Sequence, residues 1–304
     1  MKQYLVIDIG GTAFKYALMD AEANFIEKGE IPAVHAKDAE PFFEAMATIV
    51  PQYKDRIEGI ALSMPGRLDR EKGYAYTSGA LGYLSNTDVK GEFEKRFGIT
   101  TFIENDGKAA CLAEMWKGNL KDVRDGVVLI LGTGIGGGIM LNRQLWRGWN
   151  GAAGEFSVLT TDFHPATLSA GWWANINGTP SGLVHPYAKA MDLPVEEVNG
   201  KIFFQALHEG NDKAKAIFDT FVENAVTAIY DLQCVLDVQK YCIGGGISAQ
   251  DILIDSIRQG VDAYYEKYQH MIPMCKPEVD RCQFNNDANL IGALKNFFDL
   301  SEAA

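Results

Sequence analysis

Short apolar runs interrupted by glycine dominate the first third of the chain and predict β-strands. Residues 4–9 and 14–19 are such runs, and Gly10, Gly11 and Thr12 lie between them. Branched and aromatic residues favour strands, while glycine breaks the pattern, so two strands joined by a glycine turn are predicted. Similar runs predict strands at 25–31, 57–64 and 100–104, and helical spacing predicts helices over 39–50 and 108–117.

The second half of the chain repeats this opening. A strand is predicted at 126–131, a glycine-rich turn at 132–138 and a resumed strand at 139–141. The predicted elements that follow are a helix over 213–236, a strand at 240–243, a glycine turn at 244–246, a helix over 250–269, a short strand near 279–284 and a helix over 288–298. Residues 166–182 are predicted to be the least regular region. Two strand–turn–strand units in one chain indicate duplicated domains.

Composition narrows the class of protein. The chain has 304 residues, 47% of them hydrophobic and 22% charged, which suits two globular domains. Its net charge of −12 disfavours nucleic acids and anionic membranes as partners. The five cysteines form no CxxC pair, and the N-terminus enters a strand without a signal-like segment. We therefore expect reduced thiols, no membrane span and a cytoplasmic location.

The first glycine turn carries polar residues suited to phosphate. Asp8 precedes Gly10 and Gly11, and Thr12 follows them. Glycine lets backbone N–H groups approach phosphate oxygens, Thr12 adds a hydroxyl donor, and Asp8 could order Mg²⁺ through water. An ordinary hairpin and a Rossmann loop are the alternatives. The Rossmann fingerprint must open a helix, whereas residues 14–19 form a predicted strand, so the pattern favours a phosphate-binding hairpin.

Two further glycine clusters follow predicted strands. The first contains Gly132, Thr133, Gly134 and Gly136, and the second contains Gly244, Gly245 and Gly246. Glycine inside a strand is destabilising, so such clusters are hard to explain as structure alone. The second precedes a helix, where a nucleotide phosphate is well placed. Each turn alone could be structural; three in this order favour nucleotide binding.

A carboxylate at a strand end is the candidate base. Glu104, Asn105 and Asp106 lie where a strand ends and a helix begins. Phosphoryl transfer to a hydroxyl needs a carboxylate that accepts the proton, and Asn105 can bind neighbouring sugar hydroxyls. The alternative for Asp106 is a plain helix N-cap. Pro65 and Gly66 follow another strand, in a turn that could expose backbone groups to a sugar or be merely a turn.

These motifs, in this order, resemble the ROK family of sugar kinases and repressors. The resemblance rests on residues 8–12, 65–66, 105–106, 132–138, 154–155, 244–246 and 287–294, and spans nearly the whole chain. It implies an α/β fold of two actin-like (ribonuclease H-like) domains with a cleft between them. The smaller domain would comprise 1–116 and 287–304, and the larger 117–286. It also implies ATP at the glycine turns, Asp106 as base, and Asn105 and Glu155 as sugar ligands.

The chain departs from this family at one place. Many members carry a Glu-x-Gly-His segment followed by a cysteine-rich zinc motif. Here Val158 stands where the histidine would be, and residues 171–178 contain no cysteine, so no structural zinc is expected. A zinc site using His164 or His185 is an alternative. The family's second acidic sugar ligand is also unidentifiable, because residues 174–177 offer only asparagine.

The resulting expectation is an ATP- and Mg²⁺-dependent kinase that phosphorylates the 6-hydroxyl of a hexose or a β-glucoside such as cellobiose. Glucokinase and N-acetylmannosamine kinase are the alternative activities, and a non-catalytic sugar-sensing regulator is the alternative of another class. Trp172 and Trp173 could stack on a second sugar ring or simply pack. The partners expected are a small sugar, ATP and a second copy of the chain, with no nucleic acid or membrane.

Overall fold

The computed structural model describes residues 2–160 and 169–302. Its strands are β1 (Gln3–Ile9), β2 (Ala13–Asp20), β3 (Phe25–Pro32), β4 (Gly59–Met64), β5 (Leu68–Asp69), β6 (Tyr74–Ala75), β7 (Thr87–Asp88), β8 (Thr101–Asn105), β9 (Gly126–Leu131), β10 (Ile135–Leu141), β11 (Gln144–Trp146), β12 (Lys240–Gly244) and β13 (Glu278–Arg281). Its helices are α1 (Glu40–Ile49), α2 (Val89–Phe97), α3 (Asp106–Trp116), α4 (Trp173–Asn177), α5 (His185–Met191), α6 (Gly200–His208), α7 (Asp212–Leu236), α8 (Asp251–Tyr268) and α9 (Ala288–Ser301).

The chain divides into two compact units. Unit 1 comprises Met1–Gly118, Leu145–Ala153 and Asp287–Ala304; unit 2 comprises Asn119–Gln144 and Gly154–Asn286. The sequence analysis assigned residues 145–153 to the second domain, whereas the structure groups them with unit 1. Arg147 in this segment donates a hydrogen bond to Glu104 of β8 in unit 1.

The described residues contain two five-stranded sheets of the same design. The strand order is β3-β2-β1-β4-β8 in one sheet and β11-β10-β9-β12-β13 in the other. In each, a hairpin of antiparallel strands (β1–β2 or β9–β10) is followed by two parallel neighbours, β4 and β8 or β12 and β13. The duplication inferred from the sequence is therefore confirmed as a repeated topology.

The core of unit 1 follows from its apolar pattern. Phe14 of β2, Phe42 of α1 and Phe93 of α2 are fully buried and contact one another through tilted and edge-to-face rings. Helices α3 and α9 approach closely at Gly292, where an added Cβ would lie 1.6 Å from the carbonyl oxygen of Ala109. This packing holds the first turn of α3 against α9, which itself contacts β4 and β8.

Most predicted elements are confirmed, with three corrections. The second glycine turn is shorter than predicted, because β10 already begins at Ile135 and residues 136–138 lie within it. Gly137 is needed there for close packing, since an added Cβ would lie 2.0 Å from the carbonyl oxygen of Val128. Helix α3 begins at Asp106 rather than 108. Within the supposedly irregular residues 166–182, residues 166–168 lie outside the described part, but 173–177 form α4.

Candidate active site

Three polar side chains lie in register at the carboxyl ends of parallel strands in unit 1. Asp8 of β1 pairs with Ser63 of β4, and Ser63 pairs with Glu104 of β8. Ligands of open α/β sheets bind outside the carboxyl ends of the strands. The predicted site residues Pro65, Gly66, Asn105 and Asp106 therefore follow these strands at the edge of the sheet where a ligand is expected.

Asp8 is held by two side chains from distant parts of the sequence. Its Oδ1 accepts hydrogen bonds from Ser63 Oγ at 2.9 Å and from Asn289 Nδ2 at 3.1 Å. No hydrogen bond from the described residues reaches Oδ2. Burial raises the pKa of the Asp8 carboxyl, against the lowering effect of these bonds, and the negative charge of Asp106 raises it further. A lone carboxylate oxygen at a strand end suits a hydrated Mg²⁺ ion, which keeps several waters.

The turn that carries Asn105 and Asp106 is fixed by local hydrogen bonds. Asn105 Oδ1 accepts from Lys108 N at 3.1 Å and so caps helix α3. Asn105 Nδ2 donates to Gly66 O at 3.1 Å and to Asp106 Oδ1 at 3.0 Å. Gly66 has a φ of +105°, and an added Cβ would lie 2.1 Å from the Thr77 carbonyl oxygen. Only glycine fits at this position. The hydrogen bond from Asn105 Nδ2 to Gly66 O joins the Pro65–Gly66 turn to the Asn105–Asp106 turn.

Asp106 has the properties of a general base. It is the first residue of α3, and its Oδ1 accepts from Gly107 N at 2.8 Å. Burial raises the pKa of Asp106, while the Gly107 N–H and the charge of Lys108 lower it. A carboxyl with a raised pKa accepts a proton more readily than an exposed aspartate does. The sequence alternative of a simple N-cap does not describe this residue, because the cap of α3 is Asn105.

Glu104, next to this pair, is bound by an arginine that the sequence analysis missed. Glu104 is 2% exposed, and its Oε2 accepts from Arg147 Nη2 at 2.6 Å and Arg147 Nε at 3.1 Å. Its Oε1 accepts from Asn105 N at 2.9 Å. Asn289 was missed in the same way. No sequence pattern pairs Arg147 with Glu104 or Asn289 with Asp8, because 43 and 281 residues separate the partners.

In unit 2 the two glycine clusters lie side by side. Gly244 pairs with Ile130 across β12 and β9, and an added Cβ at Gly245 would lie 2.1 Å from the carbonyl oxygen of Leu131. Gly245 has a φ of +93°, so a glycine is required. Gly246 has open space around it, and Thr133 is exposed in the turn between β9 and β10. These turns offer exposed backbone and a hydroxyl, as phosphate binding requires.

The other predicted residues of unit 2 have distinct environments. Glu155 is exposed and immediately precedes the short turn of residues 156–158, and Val158 is 46% exposed. Trp173 is only 2% exposed in the core, which excludes it from stacking on a ligand, whereas Trp172 is 37% exposed. Asn177 is buried, and its Nδ2 donates to the Phe221 carbonyl oxygen at 2.8 Å.

The described residues bear on two expectations from the sequence, on metal ligands and on membrane-spanning helices. Within residues 2–160 and 169–302, no three His, Cys, Asp or Glu side chains are grouped as metal ligands. His164 lies outside these residues. In the same ranges no helix combines the length and apolarity needed to cross a membrane. The cysteines there are free thiols, three of them buried.

The predicted site residues thus fall into two groups. Unit 1 holds Asp8, Gly10, Gly11, Thr12, Pro65, Gly66, Asn105 and Asp106. Unit 2 holds Gly132, Thr133, Gly134, Gly136, Gly244, Gly245, Gly246 and Glu155. The hairpin of the first group is confirmed, since Gly10 N donates to Ala13 O at 3.2 Å and Gly11 and Thr12 are exposed. The structure therefore brings the Asp106 carboxyl, the Asn105 amide and the turn at Gly66 together in unit 1.

The repeated sheet topology and the strand-end carboxylates define an α/β protein of the actin-like class. Residues 4–298 match the ROK family, and the chain belongs to that family. It is 30% identical over 298 residues to a β-glucoside kinase of Klebsiella pneumoniae, covering 96% of this chain and 95% of that one. It is 28% identical to a glucokinase of Halalkalibacterium halodurans, covering 86% of each.

A solved structure supports the same classification. The Lmo2764 protein from Listeria monocytogenes has a TM-score of 0.85 and 27% identity, covering 98% of this chain and 99% of that one. The actin-like fold class predicted from the sequence is therefore confirmed. With kinases among its relatives over nearly its whole length, the chain is a sugar kinase.

Proposed function

We propose that this kinase transfers the terminal phosphoryl group of ATP to the 6-hydroxyl of a β-glucoside such as cellobiose. The observation that carries the proposal is the Asp106 carboxyl, which begins α3 at a strand end and has a pKa raised by burial. A hydroxyl nucleophile needs an acceptor for its proton, and Asp106 is suited to that task.

Asp106 accepts the proton of the 6-hydroxyl and orients its oxygen toward the phosphoryl group. Asn105 keeps Asp106 in place, because its Nδ2 donates to Asp106 Oδ1 at 3.0 Å. Among the described residues, Asn105 Oδ1 accepts only the Lys108 N–H, so its second lone pair can accept a hydrogen bond from a sugar hydroxyl. Most of the rate acceleration then comes from positioning and from neutralising charge, as in other phosphoryl transfers.

The phosphates of ATP bind at glycine turns, where backbone N–H groups can approach them. Gly10, Gly11 and Thr12 supply one such turn, and the clusters at 132–134 and 244–246 supply two more. Asp8 would hold Mg²⁺ through a water molecule, and the ion would supply positive charge that offsets the charge of the phosphates. Asn289 and Ser63 occupy Asp8 Oδ1, which leaves Oδ2 as the oxygen that would accept a hydrogen bond from a metal-bound water.

The preference for a substituted sugar rests on Val158 and Trp172. Val158 replaces a histidine of the resembled family and is 46% exposed, so it offers a ligand no hydrogen bond. A site that does not grip a hydroxyl cannot reject an analogue in which that hydroxyl is substituted. Trp172 is 37% exposed and can stack on a second sugar ring. The Klebsiella pneumoniae relative named β-glucoside kinase adds support.

A coupled assay of ADP release tests the proposal. We expect kcat/KM for cellobiose to be at least comparable to that for glucose under identical ATP and Mg²⁺. Trp172→Ala should lower kcat/KM for cellobiose about 10-fold, or about 1.4 kcal/mol, and leave glucose unchanged. Trp146→Ala, which removes another exposed tryptophan, is the matched control. A preference of wild type for glucose above about 100-fold, or about 2.7 kcal/mol, would contradict the proposal.

Two alternatives predict different results in the same assay. A glucokinase or an N-acetylmannosamine kinase would release ADP with its own sugar and not with cellobiose. A sugar-sensing regulator would bind sugar without releasing ADP; the intact Asp106 turn disfavours this. We further propose a homodimer working in the cytoplasm, the first checked by the mass of the purified protein in solution.

A further inference from the structure

Arg147 belongs to a segment that has no assigned role in the proposed reaction. Residues 145–153 are grouped with unit 1, although the strand before them, β10, belongs to unit 2. The segment is closed on itself by a hydrogen bond from Ala153 N to Arg147 O at 3.1 Å. Arg147 at its start reaches the buried carboxylate of Glu104, two positions before Asp106.

The geometry of this ion pair is unusual. Both donors of Arg147, Nε and Nη2, bind the same oxygen of Glu104, Oε2, at 3.1 and 2.6 Å. Oε1 is thereby left to accept the backbone N–H of Asn105 at 2.9 Å. The carboxylate is thus fixed on one side by a guanidinium and on the other by the peptide group that joins Glu104 to Asn105.

This peptide group immediately precedes the catalytic turn. After it, Asn105 caps α3 and binds Asp106. We propose that Arg147 and Glu104 form a positioning pair, which fixes the Asn105 backbone and thereby the location of Asp106 relative to the sugar hydroxyl. The inference rests on the function proposed for Asp106 above.

Forming this ion pair costs free energy, because the Glu104 carboxylate is removed from water. Glu104 is 2% exposed, and the Arg147 side chain is 22% exposed, so a carboxylate is withdrawn from water. Removing the arginine leaves Glu104 without its two charge-assisted hydrogen bonds, and the carboxylate is then free to reorient. Such a reorientation disturbs the bond from Asn105 N to Oε1.

A second arginine, Arg70, lies in the electrostatic environment of this pair, so the loss of Arg147 should change the geometry of Glu104 more than its charge balance. Burial, and then the positive charge of Arg147, lower the pKa of Arg70, while the negative charge of Glu104 acts in the opposite direction, so Arg70 interacts electrostatically with both. Its Nη1 donates to Asn296 Oδ1 at 3.1 Å. Arg70 therefore still offsets the charge of Glu104 in a variant that lacks Arg147, and that variant is expected to fold. What it loses is the pair of hydrogen bonds that orients the carboxylate.

The test compares steady-state kinetics of Arg147→Met with wild type, using the sugar that wild type phosphorylates best. We expect kcat to fall at least 10-fold and the KM for ATP to change less than about two-fold. Arg56→Met is the matched control, because Arg56 also pairs with a glutamate, Glu27 at 2.7 Å, but both side chains are over 40% exposed. This control should retain wild-type kcat.

Two further variants separate positioning from folding. Arg147→Lys keeps the positive charge but lacks the two neighbouring N–H donors that bind Glu104 Oε2. We expect its kcat to be several-fold below wild type and its melting temperature to be unchanged. In the double variant Glu104→Gln/Arg147→Met the amide oxygen can again accept from Asn105 N without a buried charge, so kcat should recover part of the loss.

The outcomes are distinct. Wild-type kcat in Arg147→Met would overturn the inference. If that variant is insoluble, wild-type kcat in Arg147→Lys would overturn it. A fall in melting temperature with unchanged kcat would assign the pair a structural role only, against the inference. A wild-type protein that phosphorylates no sugar would instead refute the proposed function, and the inference with it.

Discussion

The close approach of α3 and α9 gives a prediction whose size follows from the structure. Gly292 of α9 lies against the backbone of α3, so the substitution Gly292→Ala would put a methyl group 1.6 Å from Ala109 O, 2.3 Å from Ala109 C and 2.8 Å from Ala109 Cα. These are backbone atoms of a helix, which cannot rotate away as a side chain can. The helices must separate by about 1.8 Å to restore ordinary contact at 3.4 Å.

Overpacking of this kind costs about 1–3 kcal/mol of unfolding free energy, and a rigid backbone contact should lie near the upper value. At about 2.1 cal/mol/K of unfolding entropy per residue, a chain of 304 residues loses about 1.6 °C of melting temperature per kcal/mol, so Gly292→Ala should melt about 5 °C below wild type. Helix α3 begins at Asp106, so kcat should fall as well.

Thermal unfolding followed by circular dichroism measures the effect. Gly82→Ala is the matched control, because an added Cβ there has no heavy atom within 4 Å. It should melt within about 2 °C of wild type. A Gly292→Ala protein that also melted within this range would show that the helices move apart freely, and the packing argument would be wrong.

Two other predictions concern the reaction and its metal. Asp106→Asn should lower turnover by about 10²–10⁴. This substitution should not lower the melting temperature at neutral pH. Because the folded pKa of Asp106 is raised above the unfolded value near 3.8, the carboxyl stabilises the fold fully only below the unfolded value, and this contribution is lost as pH rises through the folded value. The asparagine side chain does not ionise and therefore avoids this loss. The melting temperatures of variant and wild type should converge as pH falls toward about 4, and near-normal turnover would remove Asp106 from the mechanism. Elemental analysis should find no stoichiometric zinc, while chelation of Mg²⁺ should abolish activity; one tightly held zinc per chain would contradict the ligand analysis.

Much of the fold could be predicted because its signals are local. The strands that end at Ile9 and Met64 are apolar runs, and the turns after them contain glycine or proline. The same local reasoning misplaced the strand start at Ile135, because a glycine that permits close packing reads in sequence like a glycine that makes a turn.

The support of the site could not be predicted, since it is made by residues far apart in the chain. Asn289 binds Asp8 across 281 residues, and Arg147 binds Glu104 across 43. The sequence also could not predict which of two adjacent tryptophans is buried. Trp172 and Trp173 look alike in sequence, yet the chain enters α4 between them and only Trp173 joins the core.

The discontinuity of unit 1 has a consequence during synthesis. Its last helix, α9, fills the space beside β4 and β8: Phe297 lies against Gly59, and Asn296 Nδ2 donates to Ile103 O at 3.0 Å. The ribosome makes α9 only after about 170 further residues have followed Gly118, or roughly 10–30 s at 5–20 residues per second. Throughout that interval the nascent sheet has an uncovered apolar face. The residues of unit 2 are complete at the end of that interval, before α9 has been made, so unit 2 can fold first and the unit that carries the candidate base is the last to become native.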